Sequence, residues 1–541
     1  MAESFIRFER ALSSPNEVFG PAGEPFSYYR PVLEEMGRMG PGEWRRRVHM
    51  AHKERLEQQR ELGMVPDDEI HPTDYVPRIL PAGDWAVLER GLAQRMLAIN
   101  EWLRRLEAGK DEVVPKEVVE SSTLFDASIP TRFGDVPNRQ MGFDIVAVER
   151  SGRPGGWEYL VIEDNAKMPV GIEPMNLLRA RTLDVLPESY EALRVRPLDG
   201  LMERLGGVVR AASPEPEPTL AILSTGPHDQ YYLDHKIFAS ELGAILAERH
   251  EVELDHDGRL IHKESGRRID IIYERIEDGR IYDDIKGLIE SQARGLIDAV
   301  FAPNLGVADD KGVYPFIPEM IRTYLGEEPV LNNVETYSLA VEEDRRYVMD
   351  HFDELVVKSR SGWGGKDVLI ALEESSEDVD AFRKQVEENP VEYVAQETID
   401  FSTHILCETD EANDGFVLRD AHADYRIHAL APDAQTVEVI PGAMTRVAAP
   451  GSKLVNISSG GKMKDTWVLR GALGLPHAPR AFQQFSTRPV GRLSACQPSR
   501  ASLTSRRKLV AVNGAGGAYS VGRARLMASQ ARVAHLMRLG V

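Results

Sequence analysis

Cysteine is nearly absent from this 541-residue chain: Cys407 and Cys496 are the only two, far apart, with no CxxC pair and no histidine at ligand spacing. That excludes a disulfide framework and a cysteine-based zinc site, and leaves two incidental thiols. Long apolar runs are missing as well. No stretch of about 20 consecutive apolar residues exists to span a bilayer, and the start, MAESFIRFERALSSP, carries charges where a signal peptide needs an apolar segment. The expectation is a cytoplasmic protein without membrane contact. Positive charge is short too: the formal net charge is −21, whereas sequence-independent nucleic-acid binding needs a basic face to displace counterions. Nucleic acid is therefore not an expected partner. A last absence is local. Residues 470–541 contain no Asp or Glu but twelve of the 65 Lys and Arg, leaving 53 basic against 86 acidic residues for the rest. This tail reads as a separate segment, either a disordered basic extension or a stretch without selected function.

The remainder has the composition of a folded protein, 42% apolar, and is too long for one core, so two or three lobes are expected. Residues 1–73 read as a peripheral helical arm, since in GEWRRRVHMAHKERLEQQRE at 42–61 charges outnumber core residues. Trp85, Leu88, Leu92, Ile99, Leu103 and Leu106 recur at helical steps and predict a core helix over 84–106. Short apolar runs bounded by turn residues predict strands at 159–162, 219–223, 269–273, 355–357, 368–370 and 393–395. Helical patterns lie at 231–249 and 315–325, and ASPEPEPT at 212–219 is a Pro-rich acidic linker between lobes. Mixed strands and helices in this order make the chain an α+β or α/β protein.

Four strings carry candidate chemistry. In MGFDIVAV at 141–148 and YLVIEDNAKMPVG at 159–171, adjacent strands would aim Asp144, Glu163 and Asn165 at one face, because side chains alternate with period two. Two carboxylates and a carboxamide oxygen are the hard donors Mg²⁺ prefers; spacing alone equally admits strand ends with acids facing water. In ELVVKSRSGWGGKDVLIAL at 354–372, Lys358 ends a strand before a loop with Gly362, Gly364 and Gly365. Such glycines let backbone amides approach phosphate, or merely serve a tight hairpin. No GK[ST] opens a helix, so this is not a Walker loop. EYVAQETIDFST at 392–403 ends a strand in Gln396 and Glu397, as a purine hinge or an ordinary amphipathic strand would. ADYRIHAL at 423–430, PGAMTRVA at 441–448 and NISSGGKMKDTWVL at 456–469 bring Arg426, Arg446 and Lys464, cations for an anion clamp or for surface ion pairs.

Taken together and in order, these strings resemble the circularly permuted ATP-grasp proteins of the second type, relatives of the glutathionylspermidine synthetase ligase domain. The resemblance runs over residues 74–469 and includes DYVPRI, WAVLERGLAQR at 85–95, ERIEDGRIYDD at 274–284 and GVADDKGVYPFIPEMIRTYLGEEPVL at 306–331. It implies a circularly permuted ATP-grasp fold with an N-terminal helical arm, a metal-ligand half at 74–211, a central lobe at 219–305 and a nucleotide-binding half at 306–469. It further implies Mg²⁺ on Asp144, Glu163 and Asn165. ATP would be held by Lys311, Lys358, the glycines 362, 364 and 365, Gln396 and Glu397, with Arg275, Arg426, Arg446 and Lys464 as anion or substrate clamps. The implied activity is an ATP-dependent carboxylate–amine ligase forming an amide through an acylphosphate. A small-molecule or peptide carboxylate and an amine are the implied partners. A nucleotide-binding scaffold without turnover and a small-molecule kinase on the same fold are the alternatives. The chain departs from the family where Gly142 and Phe143 precede Asp144 in place of an arginine-rich string, at Glu274 in a usual arginine position, and at Ala443 where a glycine is common. Neither the acid, the amine nor the oligomeric state is readable from sequence.

Overall fold

The structure, a computed structural model, describes residues 6–61, 72–150, 155–227, 232–275, 285–362, 368–410, 415–456 and 460–471, all in the unit Met1–Pro476. The acid-free tail from 472, most of ERIEDGRIYDD after Arg275, and Gly364 and Gly365 lie outside the described residues.

The N-terminal segment carries more than the expected helical arm. Strand β1 (Ile6–Glu9) is followed by the helix Arg30–Glu61, which Gly40 at φ 70° interrupts just ahead of Pro41, a residue with no N–H to continue the ladder. Val18, Tyr29, Val32, Met36 and Trp44 are buried in the main core, so this segment is part of the body. After β2 (Arg78–Leu80) comes the helix Ala82–Glu107, whose predicted stripe is buried at Trp85, Leu88, Leu92, Ile99 and Leu103. Then β3 (Gln140–Glu149) and β4 (Trp157–Asn165) form an antiparallel pair, and the helices Ile172–Val185 and Leu201–Arg210 lead to the Pro-rich linker.

The central lobe holds β5 (Leu220–Ser224), β6 (Ile245–Glu248), β7 (Val252–Leu254), β8 (Leu260–His262), β9 (Arg268–Ile269), β10 (Ile271–Glu274) and β11 (Asp298–Val300). A parallel sheet runs in the order β11-β10-β5-β6, beside a small β7-β8-β9 meander. The single helix expected over 231–249 is corrected: it spans Tyr232–Leu242, stops at Gly243 with φ 60°, and the chain becomes β6. Ile245 to Ala247 gain more by pairing with β5 in a buried sheet than by extending an amphipathic helix.

Between 314 and 325 the helical pattern resolves into a 3₁₀ turn Tyr314–Phe316, an α turn Ile317–Met320 and a π turn Ile321–Leu325. After β12 (Asn332–Asn333) a third lobe forms from β13 (Thr336–Ser338), β14 (Leu355–Ser359), β15 (Val368–Ile370) and β16 (Tyr393–Glu397), antiparallel in the order β13-β16-β14-β15. Leu339, Val348, Phe352, Leu355, Val357 and Val386 make its own core.

The chain then returns to the first lobe with β17 (Thr403–Asp410), β18 (Gly415–Leu430), β19 (Glu438–Val439), β20 (Met444–Val447) and β21 (Lys462–Val468). Within 306–469, residues 403–468 complete a ten-stranded sheet ordered β12-β4-β3-β18-β20-β21-β2, with β1, β17 and β19 also on β18. The 16-residue β18 is the spine: its first part pairs with β1 and β17, its second with β3 and β20.

Candidate functional site

The site begins with the β3/β4 register. Asp144 lies opposite Glu163 and Gly142 opposite Asn165, so these donors share one face, as period two requires. Between Asp144 and Ile145 the pairing slips past Ile162, a bulge of the kind that re-aims side chains. The carbonyl of Ile162, freed from the ladder, accepts a hydrogen bond from Gln396 Nε2 at 3.2 Å. That bond joins the main sheet to the third lobe through its candidate hinge residue.

β18 and β20 bring two arginines to the same face. Arg426 sits opposite Asp144 and donates to both its oxygens at 2.7 Å; Arg446 sits opposite Asp424, donates to it at 3.0 and 2.5 Å, and reaches Asp144 at 2.7 Å. Burial pushes the Asp144 carboxyl up, but Arg426 and Arg446 outweigh it and hold the group well below the usual carboxylate range. Asp424, with Arg446 as its partner, is driven the other way by burial.

Opposite this face stand the lysines. Lys311 lies 2.9 Å from Glu163 and donates to the Gly362 carbonyl at 2.7 Å. Burial raises the Glu163 carboxyl, yet the Lys311 charge leaves it lowered overall. Lys358, at the end of β14, is pushed down to about 8 by burial, with Glu163 opposing and Lys311 adding to the fall. The structure thus brings Asp144, Glu163, Asn165, Lys311, Lys358, Gly362, Gln396, Arg426 and Arg446 into one neighbourhood.

Three predicted residues stand apart. Lys464 is corrected: it pairs with Thr445, one step out of phase with Arg446, so it lies on the other face of the sheet. There it is fully buried, ion-paired with Asp74 and bonded to the Val76 carbonyl at 2.9 Å, a structural role. Glu397 turns away from Gln396 by strand alternation, and its carboxylate accepts from Tyr337 at 2.9 Å and Tyr347 at 3.2 Å. Arg275 sits in the central lobe beside Glu173 at 3.8 Å and packs on Phe238 and Tyr273.

Several supporting residues carry no motif of their own. Asp309 accepts from the backbone N–H groups of Ala166 and Lys167, just past Asn165, and burial pushes its carboxyl up to about 7, with Glu163 adding to the rise. Asp310 takes both arms of the buried Arg360 at 2.7 Å, clamping the Lys311 turn to the end of β14. Asp164, between the two candidate metal ligands and on the reverse face, is held bidentately by Arg95 at 2.5 and 2.7 Å. Only the acid pair preceding Lys311 hinted at this; the partners are remote in sequence. Gly142 also gains a reason. A Cβ there would meet Pro169 at 3.2 Å and His428 at 3.4 Å, so the space an arginine-rich string would need is filled.

Oxygen donors on one sheet facing Lys358 from a second, smaller antiparallel sheet and Lys311 from a turn beside it make the architecture of the ATP-grasp class. The chain belongs to the circularly permuted ATP-grasp type 2 family, whose model matches residues 77–448. It is similar to an uncharacterized Synechocystis sp. protein, 31% identical over 84% of this chain and 97% of that one. It is also similar to a Frankia alni protein that bears the name "Putative glutamate--cysteine ligase 2-3", 33% identical over 84% of this chain and 54% of the other. The chain thus spans about half of that relative. A glutathione synthetase-like effector of Globodera pallida, in its apo form, aligns at a TM-score of 0.49 and 9% identity over 74% of this chain and 90% of that chain.

Proposed function

We propose that this protein is an ATP- and Mg²⁺-dependent ligase that joins the carboxylate of a small molecule or peptide to an amine. Family membership supports an ATP-dependent ligase in general, and the name printed for the Frankia alni relative agrees with ligation, though this chain covers 54% of that protein. The observation that carries the finer reading is the ion pair between Lys311 and Glu163 at 2.9 Å. It sets a candidate phosphate-binding lysine within contact distance of a candidate metal-binding carboxylate, as transfer of a metal-bound phosphate requires.

The donor set fits a magnesium ion. Glu163 and Asn165 offer hard oxygens on the face they share with Asp144. Asp144 Oδ1 receives one guanidinium donor and keeps one lone pair, enough for a third ligand. When bound, the cation would offset charge developing on phosphate oxygens. Lys311 and Lys358 take the phosphates, Gly362 lies over them, and the strand with Gln396 and Glu397 borders the purine. Arg446 and Arg426 hold Asp144 in place, and Arg275 faces the substrate side.

In this reading a carboxylate oxygen of the substrate attacks the γ-phosphorus of ATP, ADP departs, and an acylphosphate forms. The amine nitrogen then attacks the acyl carbon, phosphate leaves with the C–O electron pair, and the nitrogen loses a proton. The side chains position reactants and compensate charge; none need form a covalent bond. The test is ADP and free phosphate release from the purified chain with ATP, Mg²⁺ and pools of carboxylic acids and amines. Release that requires both pools and is abolished in Lys358→Ala supports ligation. A stable phosphorylated product points instead to a kinase, and binding of nucleotide with no stimulated release points to a scaffold.

A further inference from the structure

A cavity of about 370 Å³ opens between the segment 130–139, the Pro-rich linker and the central lobe, and none of the residues assigned to the cleft above lines it. It has room for about a dozen water-sized groups at about 30 Å³ each. Phe133, Val136 and Ile297 give it an apolar wall. Four charged side chains also line it, and two of them, Arg132 and Asp298, pair with one another at 3.5 Å. Arg139 and Asp135 are not paired. The half-buried Arg139 donates Nη1 to the Pro432 carbonyl at 3.0 Å, while its Nε and Nη2 make no bond among the described residues. Burial disfavours its charge, and Asp298, Asp135 and Asp433 act on it only from beyond ion-pair distance. Asp135, which is exposed, takes neither a hydrogen bond nor an ion pair among the described residues. Gln292 is 7% exposed and donates Nε2 to Glu274 at 3.3 Å, yet its Oε1 is buried with no partner among the described residues.

A guanidinium with Nε and Nη2 both free matches a carboxylate or a phosphate, which it meets with two parallel N–H bonds. A carboxylate without a partner matches a cation, and an amide oxygen buried without one costs free energy until an N–H reaches it. The four charged groups of the lining sum to zero, so a phosphate would leave negative charge uncompensated beside Asp135 and Asp298, whereas a ligand carrying one charge of each sign is complementary. We propose that this cavity binds a zwitterion of amino-acid or dipeptide size, its carboxylate on Arg139, its ammonium group towards Asp135 and an N–H on Gln292 Oε1. The site stands apart from the reaction centre. Arg139 immediately precedes β3, and the strand from Gln140 to Asp144 alone covers about 14 Å at about 3.4 Å per residue. A carboxylate held by Arg139 is therefore not the one activated beside Asp144, and the proposal stands independently of the ligase reading.

The experiment is calorimetric titration of the full chain with glycine, leucine and alanyl-leucine as probes. Leucinamide, which lacks the carboxylate, and 4-methylpentanoate, which lacks the ammonium group, are the controls. The expected result is binding of at least one zwitterion, with leucinamide and 4-methylpentanoate weaker than leucine by about tenfold or more, and no displacement by an ATP analogue with Mg²⁺. Arg139→Gln, which removes charge and fork together, is expected to weaken leucine by about tenfold or more, and Arg139→Lys, which keeps the charge alone, to recover only part of that. Asp135→Asn changes an exposed side chain and leaves the core intact, and it is expected to abolish the preference for leucine over 4-methylpentanoate. No zwitterion binding by the natural chain, displacement of leucine by the nucleotide analogue, or equal binding by Arg139→Gln overturns the proposal. If Arg139→Gln melts lower than the natural chain, Asp135→Asn decides: a retained preference for leucine overturns the site and a lost one upholds it.

Discussion

Lys358 and Asp309 are two half-buried ionisable residues near the cleft whose chemistry is measurable by pH. Lys358 is held near 8 by burial, so it is charged at neutral pH and loses its proton as the solution passes that value. A phosphate-binding lysine must be charged, so nucleotide affinity is expected to fall as pH rises through about 8. Titration of an ATP analogue across that range checks this, and Lys358→Arg, which keeps its charge, should remove the step. Asp309 runs in the opposite sense. Its folded value of about 7 exceeds the unfolded value of about 4, so between these limits the folded chain binds more protons than the unfolded one. Stability attributable to Asp309 is therefore greatest below pH 4 and is lost as pH rises towards 7. Asp309→Asn, which still accepts the two backbone N–H bonds, should flatten the denaturation midpoint over that window. Neither shift is legible from sequence, because both arise from Glu163, Lys311 and burial, which the fold assembles.

At the scale of elements, the site depends on how the Lys311 turn is fastened. Arg360 spans Asp310, the Ser121 hydroxyl and the Val118 and Val391 carbonyls, and Gly312 lies so close that a Cβ would stand 2.4 Å from its Nε. Gly312→Ala should push the guanidinium off Asp310, destabilise the chain by about 1–3 kcal/mol, and weaken nucleotide binding by displacing Lys311. Chemical denaturation and an ATP-analogue titration of the same variant check both effects. Arg360→Ala is expected to be harsher, about 3–5 kcal/mol, because it leaves a buried carboxylate unpaired. Element types were largely readable: the 84–106 helix and five of the six predicted strands occur, because each has a strong local period, while 269–273 is divided between β9 and β10 in two different sheets. The helix over 231–249 was not, because a parallel sheet claims its second part. Lys464 shows the same limit within one strand. Its neighbours Met463 and Asp465 alternate with it, and nothing local says which parity faces the cleft.

Across the whole molecule, every described residue of the candidate site falls within the unit Met1–Pro476, and the acid-free stretch contributes none of them. A chain ended after Pro476 is expected to bind nucleotide with unchanged affinity and to gain the same thermal stabilisation from Mg²⁺ and ATP analogue, about 2.7 kcal/mol at a hundredfold excess over Kd. No helix among the described residues is long and apolar enough to cross a membrane. By itself the sequence determined the family, the α+β class, and the one face shared by Asp144, Glu163 and Asn165, since motif order and strand alternation are local properties. Only the tertiary structure decided that Arg426 and Arg446 belong to Asp144, some 280 and 300 residues away, and that residues 403–468 return to the first lobe. Strand register and lobe packing are fixed by the burial of whole faces, and no short string encodes which distant strand will lie alongside.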